Sequence, residues 1–442
     1  MGPESIELET HAYDAESRDT STEAEGQDTF SLPPADGGKD AWLFLTSAFV
    51  LEALVWGFPF SFGVFQTYYA SHEPFMADGN GIAAIGTTAT GMMYFLAPIV
   101  YAVLRMYPRY RRTSTMVGFV IMLGSFIAAS FANTVTQLIG TQGVMYAFGG
   151  ALCYFPTLAY LDEWFVQRKG IAFGVICAGG GAAGLAIPFV MEWVLNSYGF
   201  RTALRVWAIV VVVLTTPILY HNKGRLPVRP HTSSAPQRIE WRFVKTAPFW
   251  ILQVASIVQG LGYFLPSIYI TSYALSVGLT RTDGTLAVAL INAATVIGAI
   301  VSGFLADKYH VTTAILVSCI GSVVAVFLFW SFAVYRSIFF IFAVLYGIFA
   351  GGFSSTWAGC AKPLRLSYPG TETGMVIAVF SAGKGIGSVI SGPLSEALVA
   401  ADSSKDKAAF AFGSGYGTLL IFTGVTAAFT GTTWCGRRFG FL

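Results

Sequence analysis

The chain has 442 residues, of which 54% are hydrophobic and 11% charged, with a mean hydropathy of +0.62 and a formal net charge of +2. A soluble domain carries charge on about a quarter of its residues, so this composition excludes an ordinary soluble protein and points to the bilayer. The five histidines and five cysteines show no HExxH, CxxC or calcium-loop spacing, and no phosphate-binding loop or Ser-His-Asp arrangement is present. Enzymatic chemistry, a cofactor, a metal centre and a nucleic-acid partner are therefore not expected.

In chain order, residues 1–40 come first as an acidic tail holding eleven of the 24 acidic side chains. With few apolar residues the segment predicts a disordered cytoplasmic tail. Without a basic stretch leading into an apolar one, it does not read as a signal peptide. Twelve apolar stretches follow, each near the roughly 20 residues that a helix needs to cross hydrocarbon. They are spans 1 to 12: 41–66, 81–104, 114–133, 137–161, 170–195, 203–221, 247–275, 284–306, 311–331, 337–361, 372–398 and 409–434. The longest polar break, 222–246, contains Pro227, Pro230 and Pro236 and predicts a linker between six-helix halves at 41–221 and 247–436, with 437–442 as a short C-terminus.

An even span count puts both ends on one side. With the tail inside, the inner segments hold 19 of the 26 lysines and arginines and the outer segments six, so the termini and linker are expected to be cytoplasmic. The expected location is the cell membrane, with the vacuolar membrane as the alternative. The remaining base, Lys384, lies inside span 11.

That lysine belongs to an internal repeat. Gly170-Ile-Ala-Phe-Gly-Val-Ile-Cys-Ala-Gly-Gly-Gly181 in span 5 returns 204 positions later as Gly374-Met-Val-Ile-Ala-Val-Phe-Ser-Ala-Gly-Lys-Gly385 in span 11. Lys384 stands where the first copy has Gly180. A repeat about half the chain apart predicts two pseudo-equivalent halves, the architecture of secondary transporters with a midplane site.

Twelve spans in two halves around a central linker resemble the major facilitator superfamily. Gly303-Phe-Leu-Ala-Asp-Lys308, between spans 8 and 9, is similar to that superfamily's G-x-L-A-D-R/K loop. The counterpart Leu104-Arg-Met-Tyr-Pro-Arg-Tyr-Arg-Arg112 keeps the bases and lacks the acid, which argues against a symmetric latch. Finer likeness points to the monocarboxylate-porter family in its fungal branch. Asp36-Gly-Gly38 with Trp42, Phe62-Gly-Val-Phe65, Met93-Tyr94 with Pro98, Trp164-Phe-Val-Gln-Arg-Lys-Gly-Ile-Ala-Phe-Gly174 and Tyr198-Gly-Phe-Arg-Thr-Ala-Leu-Arg205 resemble its motifs in order. The resemblance implies an all-α major facilitator fold that moves organic acids by alternating access.

The chain departs from that family where its charges would sit. Phe60 follows the Phe58-Pro59 pair in place of a lysine, and Thr295 and Ala299 occupy the span-8 positions of an acid and an arginine. Three ionisable residues lie well inside spans: Glu52, Glu192 and Lys384. A charge near the bilayer centre costs about 2.5–3.5 kcal/mol on insertion scales, so it should face a partner or a cavity. Lys384 is the candidate anion site and Glu52 the candidate proton carrier; alternatively the two form a structural pair or are satisfied separately. Glu192 is expected near the outer interface. Trp56, Tyr94, Asn292, Phe353 and Phe380 complete the candidate substrate site, with Tyr154 and Phe349 also on spans expected to face the cavity. Asp162, Arg168, Lys169, Asp307 and Lys308 form the candidate cytoplasmic gate, where Asp162 and Glu163 are placed to pair with Arg168 and Lys169 or with Arg111 and Arg112. The expected function is proton-coupled transport of an organic anion, a monocarboxylate or larger acid, with protons, a small organic acid and lipid as partners. The alternatives are an exporter of a lipophilic secondary metabolite and a non-transporting membrane sensor.

Overall fold

The computed structural model describes residues 32–76, 81–226, 241–402 and 409–442. The tail through Ser31 and linker residues 227–240 lie outside the described residues, as do 77–80 and 403–408. Among the described residues the fold is all helix. Eleven helices are long and apolar enough to cross a bilayer.

One of these, Lys169–His221, has 53 residues. At 1.5 Å per residue it would run about 80 Å, more than twice the hydrocarbon thickness of about 30 Å. It is two helices merged across Gly199, whose φ of 77° and ψ of 168° leave the helical region. A positive φ is available to glycine at little steric cost, which explains a glycine inside the Tyr198-Gly-Phe-Arg201 motif. The twelve spans are then Lys39–Ser71, Ile82–Met106, Pro108–Ala129, Val135–Trp164, 169–198, 200–221, Ala247–Ser276, Arg281–Lys308, Val311–Phe332, Arg336–Ser367, Thr373–Ala400 and Gly417–Arg438. Span 12 begins later than its hydropathy predicts, because Phe410–Ser414 forms a short 3-10 turn before it. Span 1 begins earlier, at Lys39.

Local chemistry sets several helix starts. Thr280 and Asp283 form a reciprocal capping box on span 8, and Thr246 caps span 7 ahead of a proline in its first turn. Asp36, with φ 58°, fixes the approach to span 1: its carboxylate accepts the backbone amides of Val166, Gln167 and Arg168 at 2.9–3.0 Å through Oδ1. The acid of the Asp36-Gly-Gly38 motif is thus a clip that ties the start of span 1 to the loop between spans 4 and 5.

Small residues decide which helices touch. Span 5 lies between spans 1 and 8. A Cβ on Gly174 would strike the Ala299 carbonyl oxygen, and one on Gly181 would lie 2.9 Å from the Asn292 carbonyl oxygen. On its other side, a Cβ on Gly179 would strike the Phe49 carbonyl oxygen. Span 11 repeats this between spans 7 and 2: a Cβ on Gly387 would lie 2.5 Å from the Ile257 carbonyl oxygen, and one on Gly385 would lie 2.5 Å from Tyr94 Cβ. Spans 5 and 11 therefore each bridge both halves.

The core is divided by depth. One continuous cluster runs through spans 1 to 6 and takes in the linker-side ends of spans 7, 9, 10 and 11, from Phe249 and Val311 to Trp357 and Phe380. The far ends of the second half form a separate cluster around Leu265, Trp330, Phe339 and Tyr346. Among the described residues, the apolar cluster that joins the halves lies at the linker face. Large apolar side chains such as Val120, Ile209, Val213 and Ile297 are exposed on the flanks, as lipid contact requires.

Candidate functional site

Lys384 is 4% exposed. Its Nζ donates to Ser354 Oγ at 2.7 Å and stands 4.1 Å from the centre of the Tyr263 ring, with Phe264 at 5.5 Å and Trp357 at 5.7 Å. Gly260 on span 7 lies so close to the span-11 backbone that a Cβ on it would be 2.9 Å from the Lys384 carbonyl oxygen. A desolvated cation over an aromatic face gains about 2 kcal/mol or more, enough to hold the ammonium but not to replace a counter-anion. Among the described residues no carboxylate forms an ion pair with it.

Glu52 is 8% exposed on span 1. The Tyr154 hydroxyl hydrogen-bonds its carboxyl group, while Oε2 has no partner. Gly179 and Gly180 of span 5 leave space for this side chain; Glu52 Oε1 would lie 3.7 Å from a Cβ on Gly180. Trp56, one turn further, packs on Tyr94 at 4.6 Å and meets Tyr154 edge-on at 6.3 Å. Glu52 and Lys384 are not an ion pair.

The linker face is closed by carboxylates on helix N-termini. Asp307 accepts Gly170 N and Ile171 N, each at 2.8 Å, at the start of span 5. Asp162 accepts Gly374 N at 3.0 Å at the start of span 11, and its other oxygen holds Lys169 at 2.8 Å. Glu372 is bound by Arg105 and by the Tyr101 hydroxyl across the halves. Helix N-termini carry partial positive charge and free amides, so each carboxylate is a charge-assisted bond between halves. Arg111 pairs with Glu163 at 2.7 Å within the first half.

Residues 45–362 match the family model described as "Major Facilitator Superfamily". The chain belongs to the Major Facilitator Superfamily. Among curated superfamily relatives it is 27% identical over 354 residues to "MFS transporter asaE" of Aspergillus flavus, covering 79% of each chain. It is also 27% identical over 376 residues to "Aspyridones efflux protein apdF" of Emericella nidulans, covering 82% of this chain and 74% of that one. Among solved structures it matches a bacterial homologue of the iron transporter ferroportin in an outward-facing state, with a TM-score of 0.65 at 12% identity over 91% of this chain and all of that one. That likeness concerns the fold. The protein is a multi-pass membrane transporter of this superfamily.

The superfamily fold brings some candidate residues together and separates others. Trp56, one turn from Glu52, packs on Tyr94, while the Lys384 ammonium contacts Ser354, Tyr263, Phe264 and Trp357 of the second half. Asn292 instead donates to the Gly184 carbonyl at 3.1 Å, at the contact of spans 5 and 8. Phe380 packs edge-on against Phe249 at 5.9 Å towards the linker face. Phe353 lines a small cavity within the second half. Asp162, Lys169 and Asp307 meet at the linker face. The Arg168 side chain is exposed there, and Lys308 turns outward over Phe304 and Tyr309. Glu192 is exposed near the far end of span 5.

Tyr263, Phe264, Ser354 and Trp357 around Lys384, and Glu372 at the gate, were not singled out by the sequence reading. One signal was available. The 204-residue offset also relates Phe60 to Phe264 and Phe49 to Gln253, and Phe49 and Gln253 abut the equivalent glycines, Gly179 and Gly383. Extending the repeat from spans 5 and 11 to spans 1 and 7 points to the aromatic wall. Nothing local marks Ser354 or Glu372.

Proposed function

We propose that this protein is a proton-coupled secondary transporter of an amphipathic organic anion, in a monocarboxylate-porter-like branch of its superfamily. Its termini and linker are cytoplasmic and its expected location is the cell membrane. The carrying observation is Lys384: a buried ammonium held by a neutral hydroxyl and aromatic rings, with no acid paired to it among the described residues. Such a group is arranged to accept an anion from a ligand, and the rings around it offer apolar surface for the remainder of that ligand. Glu52, buried on span 1 with one carboxyl oxygen unpartnered among the described residues, is the proton carrier. An anion reaching Lys384 raises the negative potential at Glu52 and favours its protonation.

The domain organisation we propose is an acidic cytoplasmic tail over 1–40, two transport halves at 41–221 and 247–436, a cytoplasmic linker at 222–246, and the short 437–442 end. Asp162, Lys169 and Asp307 hold the cytoplasmic side shut while the site is reached from the far side, and they part in the alternate state. Export of a larger metabolite is the second reading, favoured by the efflux name of one relative and by the aromatic lining.

The test is a transport screen in proteoliposomes across short carboxylates, aromatic acids and acidic metabolites, comparing the native protein with Lys384→Ala. Loss of transport with unchanged folding and insertion supports the anion site. Full transport by the variant overturns it. The sign of the imposed pH gradient that drives accumulation separates uptake from export.

A further inference from the structure

The Tyr198-Gly-Phe-Arg-Thr-Ala-Leu-Arg205 motif puts two arginines one helical turn apart at the far end of span 6, opposite the linker face. Both are exposed, and both are held by the loop between spans 3 and 4. Arg201 Nη2 donates to Asn133 Oδ1 at 2.7 Å, and its guanidinium lies 5.2 Å from the centre of the Phe200 ring. Arg205 Nε donates to Ser130 Oγ at 3.1 Å, with its guanidinium 4.9 Å from the centre of the Phe131 ring. All of these partners are neutral. Among the described residues no carboxylate pairs with either arginine, not even Glu192, which is exposed near the same end of span 5. Arg336, at the same face of the membrane, is by contrast paired with Asp283 at 2.8 Å.

A guanidinium carries five N–H donors and no acceptor, so most of each fork is left for an anion. The first two turns of span 6 also carry the positive end of its helix dipole, which adds to the charge of the two bases and does not relieve it. The residues below them settle which way they face. Ile209 and Val213 continue the row at four-residue spacing and are 63% and 62% exposed. A row of exposed apolar side chains along one face of a span is its lipid-facing side. Trp193 and Tyr198, exposed and edge-on to each other at 6.0 Å, mark the depth of the headgroups at this end. The two forks therefore stand at the level of lipid phosphates, on the flank that lipid covers.

We propose that Arg201 and Arg205 form a docking site for the phosphate of a phospholipid headgroup in the leaflet at the far face, with an acyl chain lying along Ile209 and Val213. Two guanidinium forks one turn apart suit the several acceptor oxygens of a phosphate diester, and the apolar row continues from them into the hydrocarbon. Because Asn133 and Ser130 already hold the two side chains, a bound headgroup fastens span 6 to the loop between spans 3 and 4. The site stands on its own geometry, whatever the transported substrate is.

Purified full-length protein in detergent would be titrated separately with phosphatidylglycerol, phosphatidylcholine, diacylglycerol and inorganic phosphate. Bound lipid is counted by native mass spectrometry, and the thermal midpoint is read in parallel. A ligand that binds only the native state raises the midpoint logarithmically with concentration. Both phospholipids should bind and raise the midpoint, while diacylglycerol, which has the chains and no phosphate, should do neither. Phospholipid affinity should fall about tenfold or more when Arg201→Gln and Arg205→Gln are combined, since hydrogen bonds to charged groups are lost. Arg205→Lys keeps the charge and loses the planar fork, so it should weaken binding about threefold or more at a native midpoint. That variant carries the test if the double variant does not fold. Equal phospholipid binding by the native protein and the folded variants would overturn the proposal. So would diacylglycerol binding as tightly as phospholipid, which would leave the apolar row alone responsible. Inorganic phosphate that raises the midpoint at the same concentration as the lipids would make this a site for a free anion and overturn lipid docking.

Discussion

Asp162 accepts the Gly374 amide at 3.0 Å, and Gly374 is the repeat counterpart of Gly170, whose amide Asp307 accepts at 2.8 Å. The two halves are thus latched twice, by a carboxylate on the first turn of each bridging helix. The loop between spans 2 and 3 has no acid, and the expectation drawn from it, an asymmetric latch, is corrected by the structure. The missing carboxylate is supplied from the end of span 4.

The latch predicts an additive conformational effect. Hydrogen bonds to charged groups contribute about 1.5–3 kcal/mol each, which is about a ten- to hundredfold population shift. Asp162→Ala and Asp307→Ala should each open the linker face, and the double variant should open it further. Spin labels at the exposed Val166 and Leu366 report this as a longer or broader distance distribution. Unchanged distances in the double variant would show that apolar packing alone keeps that face shut.

Lys384 separates stability from activity. Replacing a buried charge by an apolar side chain of similar volume is often neutral or stabilising, so Lys384→Met should melt at or above the native midpoint. Transport should fall about thirtyfold or more, since truncating one partner of a buried charge pair costs about 2–5 kcal/mol. Tyr263→Leu, which removes the ring at 4.1 Å, should weaken transport while retaining the charge. A strongly destabilised Lys384→Met with native-like turnover would reverse the assignment.

Glu52 tests the coupling. Glu52→Gln preserves shape and the Tyr154 hydrogen bond but cannot release a proton. Exchange of labelled for unlabelled substrate should persist, while accumulation driven by a pH gradient should vanish. The two fluxes are measured in the same proteoliposomes with and without the gradient, and gradient-driven accumulation by the variant would fail the proton-carrier role.

The glycine contacts give a stability prediction with its own control. Gly174→Ala places a methyl against the Ala299 carbonyl, and overpacking of this kind costs about 1–3 kcal/mol. Gly392 has nothing within 4 Å of an added Cβ. There the substitution should be neutral or stabilising by up to about 1 kcal/mol through helix propensity. Thermal midpoints of the two variants should move in opposite directions or differ by several degrees.

Much of the architecture was legible in the sequence because it rests on periodic or additive quantities. Hydropathy over windows of about 20 residues located the spans, and the repeat revealed the two halves. The break between spans 5 and 6 was legible in the sequence, but the positive φ of Gly199 that makes it was not, because that role lies in a backbone angle. Lys384 and Glu52 were conspicuous because a charge in hydrocarbon is costly wherever it is placed. Their partners were not, since Ser354, Tyr263 and Trp357 are ordinary residues on two other helices.

What the sequence by itself determined is the number of spans, their grouping into halves and which buried charges demand an explanation. Only the tertiary structure decided that Glu52 and Lys384 stand apart and that Asn292 and Phe380 serve helix contacts. It also decided that Asp162 takes over the latch. The physical reason is the same throughout. Burial free energy sums along the chain and can be read from composition, whereas hydrogen bonds and charge contacts depend on distances of about 3 Å between residues as far apart as Asp162 and Gly374.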